Sequence, residues 1–383
     1  MNETIQKAFD LTKQVLGDAR REGKRVACSV SGGADSDILI DLCERTVPHF
    51  VNYVFFDTGI EYQATKDHLK YLEEKYGIEI HREKAKVPVP LGNKKYGMPF
   101  LSKNVSSMIS RLQKHGFQWE NDTYENLCEK YPKCTAALKW WTNKWISENG
   151  TNLFSIDRNS WLKEFIIKNP PQFPISDKCC LGAKKNTAGN YIKNNKVDLM
   201  IMGIRKSEGG QRASVYKEQL FYNKHYKTMY FLPILYFSDA DRCEYEELYN
   251  VVHSKCYTEY GLDRTGCAGC PFGREYQCEK DVIKQYEPRL SKAIENMWAD
   301  VYDYTDKYHE FQRLMNLKYK RKKRCSCGCT EFDPDTVAMN LKIFGREGKI
   351  FLCKECFKKN FEWTEEDWNN EIEKFKMQGC DLF

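Results

Sequence analysis

Apolar and polar positions along this chain change period several times, and the changes mark out its elements. MNETIQKAFDLTKQVL reads as an amphipathic helix. Val26, Ala27 and Val30 supply a short buried strand, and Ile38 to Cys43 continues as an apolar helical pattern to about Arg45. VNYVFFDTG is a second buried strand, Tyr62 to Tyr76 a helix, and Ile78 to His81 the start of a third strand. Such alternation predicts an α/β fold: a parallel, twisted sheet with helices on both faces and ligands at the carboxyl ends of its strands. From about Val87 to Pro174 the pattern turns to longer helical stretches carrying Trp119, Trp140, Trp141, Trp145 and Trp161. We read these as a helical insertion whose tryptophans pack a core, the commoner use of that side chain, rather than stack on bases. Sheet character returns at Val197 to Ile204 and at MYFLPILYF, with helices to about Asn316. The expected organisation is an α/β core from residues 1–86 and 175–316, an insertion over 87–174, and a small module with its basic linker and tail over 317–383.

Composition narrows the class. A chain of 383 residues, 41% hydrophobic, is long enough for two or three domains. Its formal charge of +6 is mild but unevenly placed, since KYKRKKR at Lys318 to Arg324 has six basic residues in seven. That run suits either a polyanion partner or a solvated linker. Seventeen cysteines behind a start that lacks a cleavable apolar core argue against a secreted disulfide framework and for a reducing cytoplasm. The longest apolar stretch, near Tyr230 to Phe237, falls far short of the ~20 residues of a membrane helix. No membrane partner is expected, and the sequence leaves the oligomeric state open.

The chemistry begins at VACSVSGGADSD, Val26 to Asp37, where a strand runs into a serine- and glycine-rich turn and then a helix. Gly32 and Gly33 permit torsions and close approaches that a side chain would block. Such a turn aims backbone N–H groups and a helix N-terminus at an anion. It is neither the GxxxxGK[ST] loop nor the three-glycine dinucleotide fingerprint.

Two cysteine constellations follow. Cys179 and Cys180 are adjacent, and Cys267 and Cys270 form a CxxC within RTGCAGCPFG. Four soft ligands suit a 4Fe-4S cluster or a tetrahedral Zn2+ ion; zinc sites generally separate paired cysteines by two to four residues, which favours iron and sulfur. The second set is Cys325, Cys327 and Cys329 in RCSCGCTEF, followed by Cys353 and Cys356 in LCKEC. This is zinc-ribbon spacing, with five cysteines for four places. Cys325 and Cys327 with the later pair are favoured because Gly328 then follows the second ligand, with Cys329 as the alternative. A segment so small needs a metal staple to fold. Zinc ribbons often touch nucleic acid or protein, and the adjoining basic run points to the former. No Ser-His-Asp arrangement or HExxH helix occurs.

The loop resembles the SGGxDS element of the ATP pyrophosphatase, or PP-loop, superfamily, whose fold is the adenine nucleotide alpha hydrolase-like one. The vicinal pair and CxxC are similar in order and spacing to the cluster ligands of adenylyl-sulfate reductases. FDTGIEYQAT resembles the DTGxxxxET element of the phosphoadenylyl-sulfate (PAPS) reductase family, MGIRKSEGGQR its GxRxxES stretch with a following arginine, and PISDKCC the vicinal-cysteine entry of bacterial and phage homologues. The resemblance implies ATP with its pyrophosphate on Ser31, Gly32, Gly33, Asp35 and Ser36, aided by Mg2+, with Gly203 beside it and Asp57 and Thr58 on the adenosine side. Arg205 and Arg212 would neutralise phosphates and, with Asp35, serve catalysis. Departures matter as well. The loop is degenerate in true sulfate reductases and intact here, which implies ATP cleavage, adenylation of an acceptor and sulfur transfer, as in DNA phosphorothioation enzymes and tRNA thiolases. The acceptor would be tRNA or DNA, and the sulfur donor a persulfide-carrying cysteine desulfurase. The ECGLH-like tail of the reductases is missing, and Cys380 is the tail candidate for their nucleophile. The alternatives are therefore a reductase releasing sulfite, with Cys380 as nucleophile, and a non-catalytic regulator that binds nucleotide and nucleic acid.

Overall fold

The computed structural model describes residues 2–145, 154–209, 215–273, 276–321, 325–345, 350–378, 380, 382 and 383, with the side chains of 317–321 left aside. The chain divides into two compact units, residues 1–97 with 177–298, and residues 98–176 with 299–383.

The first unit is built on a six-stranded sheet in the order β3-β2-β1-β4-β6-β5. Its strands are β1 (Val26–Val30), β2 (Asn52–Asp57), β3 (Ile80–Lys84), β4 (Leu199–Met202), β5 (Leu220–Asn223) and β6 (Thr228–Phe231). β1, β2, β3, β4 and β6 run parallel, and β5 closes one edge antiparallel to β6. The sequence alone does not predict that edge strand, because LFYN is half exposed and only four residues long, too short for a clear alternation. MYFLPILYF is strand only as far as Phe231, and the chain turns at Leu232 to Leu235 around Pro233.

Helices cover both faces because alternate strand residues are apolar on both. Cys28, Tyr53 and Ile201 pack against Ile5 and Leu16 of α1 (Glu3–Arg21), Ile38 and Leu42 of α2 (Ala34–Thr46), and Leu69 and Leu72 of α3 (Gln63–Tyr76). Ala27, Val54, Met200 and Tyr230 pack the other way, onto Tyr191 and Ile192 of the helix Asn186–Asn194. Strand order reverses direction between β1 and β4, so the crevice at their carboxyl ends is the topological switch point where open α/β sheets bind ligands.

In the second unit Trp140 and Trp141 are fully buried, and Trp141 donates its indole N–H to the Glu120 carbonyl at 2.9 Å. Trp145 donates to Ala136 and Trp161 to Asn316. Indoles tied in this way pack a core. The chain enters and leaves residues 98–176 through a short parallel bridge between Met98 and Ile175. At the C-terminal end, helices Pro334–Phe344, Lys354–Phe361 and Glu365–Met377 enclose Met339, Phe357, Trp368 and Phe375. The zinc-ribbon-like cysteine module is therefore helical among its described residues. No helix among the described residues is long and apolar enough to cross a membrane.

Behind the switch point lies a buried charge network. Asp37 on α2 is fully buried, 3.0 Å from His68 Nε2 and 2.8 Å from His253 Nδ1, and His253 Nε2 lies 3.0 Å from Glu246. Burial alone would lower the His253 pKa, but its bonds to Asp37 and Glu246 outweigh that and raise it to about 9. A raised histidine stabilises the fold fully below its ordinary value near 6.5 and loses that contribution as pH rises through about 9. Thermal unfolding followed from pH 6 to 10 should therefore show a falling midpoint, worth up to roughly 3 kcal/mol over the interval. His253→Gln should remove most of that slope; an unchanged slope would exclude His253 as its source.

Candidate nucleotide and thiol sites

The turn between β1 and α2 is shaped by what presses on it. Gly32 has φ of +69°, and a Cβ there would stand 2.6 Å from Thr65 Cγ2; a Cβ on Gly33 would stand 2.9 Å from Thr265 Oγ1 and 3.1 Å from the Tyr257 hydroxyl. Only glycine fits at either place. Ser36 braces the turn, its hydroxyl donating to the Gly33 carbonyl at 2.7 Å and accepting from the Gly33 N–H at 3.1 Å. The Gly33 N–H also points at Ser31 Oγ, and the Ala34 N–H donates to the Tyr257 hydroxyl at 3.3 Å. Hydroxyl oxygens thus occupy the places that amides at a helix N-terminus offer to phosphate oxygens.

Beside the turn is a cavity of about 380 Å³. Ser29 and Ser31 come from β1 and its end, Phe55 and Phe56 from β2, Met200 and Met202 from β4 and Tyr230 from β6. Lys184, Lys185 and Ile192 close it from the helical side, and Glu61, Thr65, Thr265 and Gly266 complete it. A mainly apolar wall with a few convergent polar groups, at this volume, is what small-ligand pockets of ~300–1,000 Å³ provide.

The residues expected at the nucleotide separate into groups. Gly203 lies under the turn, where a Cβ would stand 3.3 Å from the Asp35 backbone. Arg205 is only 5% exposed; its Nε donates to Asp35 at 2.8 Å, and its Nη1 to Asp239 at 2.7 Å and Ser207 at 2.8 Å. With both flanks of the guanidinium engaged, Arg205 holds Asp35 and the turn in place. Asp57 accepts from Gly59 N–H, and Thr58 is fully buried, bonded through N–H and hydroxyl to Glu61 and 3.5 Å from Cys267 Sγ. Thr58 therefore faces the thiols, whereas Phe55 and Phe56 line the cavity. Arg212 lies outside the described residues.

Cys179 and Cys180 sit on a helical turn that widens into a π turn, Leu181–Lys185, before the helix Asn186–Asn194. Cys267 and Cys270 arrive on a loop pinned by Ala268 N–H to the Ile60 carbonyl, and by Gly269 N–H to Glu279, which also takes the Tyr62 hydroxyl. Cys179, Cys267 and Cys270 all have raised pKa values, to which burial and the neighbouring thiols contribute. For Cys179 the hydrogen bond to Cys180 leads, then burial and the charges of Cys180, Cys270 and Cys267; for Cys270 burial leads, to about 12. Lys184 answers them, its pKa raised chiefly by Cys267 and then by Cys180, Glu61 and Cys270. These four sulfurs are not all drawn within 4.8 Å of one another as the C-terminal set is, and four soft donors so spread would suit a larger group that takes four thiolates, such as a 4Fe-4S cluster.

The other set is tighter. The sulfurs of Cys325, Cys327, Cys353 and Cys356 all lie within 4.8 Å of one another, with Cys327 and Cys353 3.7 Å apart. A tetrahedral zinc with ~2.3 Å bonds to sulfur has edges of about 3.8 Å, so the four thiols fit one zinc ion. Burial opposes ionisation of Cys325, but the N–H groups of Cys327 and Cys353 and the neighbouring thiols lower its pKa to about 6, while those thiols push Cys356 to about 12. Cys329 turns away and donates to the Glu331 carbonyl. Cys380, half-buried, packs against the core of this module, its N–H on the Phe375 carbonyl. The side chains of the basic run Lys318 to Arg324 lie outside the described residues.

Several residues at the site were not expected from the sequence. Lys184 follows Cys180 by four, a helical-neighbour spacing that gives a usable signal. Tyr257, Thr265 and Glu279 reach the site through tertiary packing and carry no local signature.

An open sheet with a glycine-bounded phosphate turn at its switch point defines a nucleotide-binding α/β domain of PP-loop type. The phosphoadenosine phosphosulfate reductase domain matches residues 25–272, more than half of the chain, and the chain belongs to that family. An uncharacterized protein of Methanocaldococcus jannaschii is 24% identical over 287 residues, covering 75% of this chain and 43% of that one, so the chain spans less than half the length of this curated relative. Among solved structures, PAPS reductase from Candida auris in a phosphate complex is 14% identical, over 67% of this chain and 87% of that one, with a TM-score of 0.38. The U34-tRNA thiolase NcsA from Methanococcus maripaludis with its 4Fe-4S cluster is 14% identical, over 92% and 90%, with a TM-score of 0.34. Likeness this slight specifies neither ligand nor reaction.

If zinc staples the C-terminal module, Cys356→Ser should reduce bound zinc from about one ion per chain to almost none. The fluorescence of Trp363 and Trp368 should then shift to that of exposed indole. Full retention of zinc by the variant would show that Cys356 is no ligand.

Proposed function

We propose that the chain binds ATP with its β- and γ-phosphates on the Ser31–Ser36 turn, adenylates an acceptor oxygen, and replaces that oxygen by sulfur. The observation that carries the reading is the meeting, at one sheet end, of an intact phosphate turn and four thiols, with Lys184 lining the cavity and coupled to the thiols. Phe56, Ile192, Met200 and Tyr230 give the adenine an apolar wall. The Gly33 and Ala34 N–H groups exchange their hydroxyl partners for phosphate oxygens, and Mg2+ arrives on those phosphates as part of the nucleotide. The acceptor oxygen attacks the α-phosphorus, the bond to the β-phosphate oxygen breaks, and pyrophosphate leaves with the electron pair. A sulfur nucleophile then displaces AMP. Positioning and charge neutralisation supply the catalysis: Arg205 fixes Asp35, and Lys184 holds the developing negative charge. Cys179, Cys180, Cys267 and Cys270 would hold a 4Fe-4S cluster, which would supply Lewis-acidic iron for binding sulfur. Nucleic acid, tRNA or DNA, is the acceptor class, and a cysteine desulfurase persulfide with a thiol reductant is the donor class.

Family membership itself favours a second reading, reduction of adenylyl sulfate or its 3′-phosphorylated form to sulfite, which needs Cys380 as nucleophile. Anaerobically purified protein given ATP should release pyrophosphate, and Cys380→Ser should release it equally well. Lys184→Gln should slow sulfur transfer by about 10²-fold, the scale of losing one preorganised charge. Sulfite formation without pyrophosphate, abolished by Cys380→Ser, would overturn adenylation in favour of reduction.

A further inference from the structure

Two segments that meet beside the cavity carry charge of one sign. Residues 84–97 hold Lys84, Lys86, Lys94 and Lys95 and no acidic residue; residues 177–196 hold Lys178, Lys184, Lys185, Lys193 and Lys196 and one aspartate, Asp177. All nine lysines are exposed; Lys193 and Lys196 lie toward the amino ends of β1 and β4, where Asn195 and Asp198 meet Arg25, and the other seven belong to the cavity side. The whole chain, by contrast, has 60 basic against 54 acidic residues, so this local excess is not a reflection of overall composition.

Packing makes one surface of the two segments. The helix α4 (Val89–Tyr96) lies on the thiol turn: a Cβ on Gly92 would stand 3.4 Å from Cys179 Cα, and one on Gly182 would stand 3.3 Å from Val87 Cβ. Small residues at both contacts let the backbones approach, and the lysines are left on the outside. Lys184 and Lys185 reach from this surface into the cavity wall. The neighbouring carboxylate, Glu83, lies 3.0 Å from His81 Nε2. Lys84, Lys86, Lys94, Lys185, Lys193 and Lys196 make no ion pair among the described residues.

We propose that this lysine rim, formed by residues 84–97 and 177–185 beside the cavity, docks the phosphate backbone of a nucleic acid and presents it to the site. Unpaired lysines at a reaction cavity attract a polyanion by releasing its counterions, and they position a strand without reading its sequence. The inference rests on the adenylating reading only in taking the docked nucleic acid as the acceptor. It differs from the basic run at Lys318 to Arg324 in lying on the nucleotide-binding unit itself.

The test uses the full chain, with fluorescein-labelled bulk tRNA and a labelled DNA duplex as separate probes, followed by anisotropy across a salt series. The rim variant changes Lys84, Lys86, Lys94 and Lys95 to Gln together. The control changes Lys7, Lys13, Lys66 and Lys70, exposed lysines of α1 and α3, to Gln for the same loss of charge. At ~100 mM salt the rim variant should bind at least tenfold more weakly, with a salt slope shallower by about 0.7–0.9 for each phosphate no longer neutralised, while the control changes less than threefold. The probe bound more tightly identifies RNA or DNA as the partner. Equal weakening in both variants, or no binding of either probe by the unaltered chain, would overturn the proposal. Pyrophosphate release without nucleic acid separates the two claims. If no form cleaves ATP but the rim variant alone fails to bind, the docking surface stands and the adenylation reading falls.

Discussion

Thr65 and Thr265 press on the turn between β1 and α2 from two sides, and neither leaves room for a Cβ on Gly32 or Gly33. From that steric constraint much of the site follows. The turn is held low and tight, Ser36 closes it by bonding to both ends of Gly33, and the amides of Gly33 and Ala34 are left facing hydroxyl oxygens instead of carbonyls. Buried amides need partners, and hydroxyls on rotatable bonds are partners that a phosphate can replace. Beneath the turn, the Arg205 bridge to Asp35 and the Asp37 contacts with His68 and His253 fix the first turn of α2 from below.

The same segment that supplies Tyr257 and Thr265 runs on to Cys267 and Cys270, so the groups above the phosphate turn and the thiols belong to one stretch of chain. Glu279, which takes the Gly269 N–H and the Tyr62 hydroxyl, and the Ala268 N–H on the Ile60 carbonyl tie that stretch to the start of α3 and the end of β2, where Glu61 accepts from the N–H groups of Thr58, Gly59 and Ile60. Burial raises the Glu61 pKa, and its bonds to Thr58 work the other way. Lys184 supplies a positive charge near both Glu61 and the thiols. The cavity and the thiols thus share a wall.

The sequence made legible whatever is local. Strong period-2 and period-3.6 runs marked β1, β2, α2 and α3 to within a few residues, and the glycine-serine turn and cysteine spacings were visible as written. The C-terminal thiols converge on the four expected positions, with Cys329 set aside by its bond to Glu331. What stayed hidden was tertiary. Arg205 has the chemistry of a phosphate clamp, but Asp35 and Asp239 engage it, and no spacing rule relates residues 35, 205 and 239. Thr58 sits in a motif associated with nucleotide and is turned toward Cys267 by the fold of Glu61 beneath it. The lysines around the thiol turn have the same origin, since residues 84–97 and 177–185 become one surface only when α4 lies on that turn.

The central claim is that the Ser31–Ser36 turn is a pyrophosphate grip. A crystal structure of the chain with an ATP analogue that cannot be cleaved between its α- and β-phosphates tests this most directly. In that complex the β- and γ-phosphate oxygens should lie on the Gly33 and Ala34 amides, with the Tyr257 hydroxyl moved off Ala34 N–H and adenine against Phe56 and Tyr230. Phosphates bound elsewhere, with the Tyr257 to Ala34 hydrogen bond intact, would contradict it.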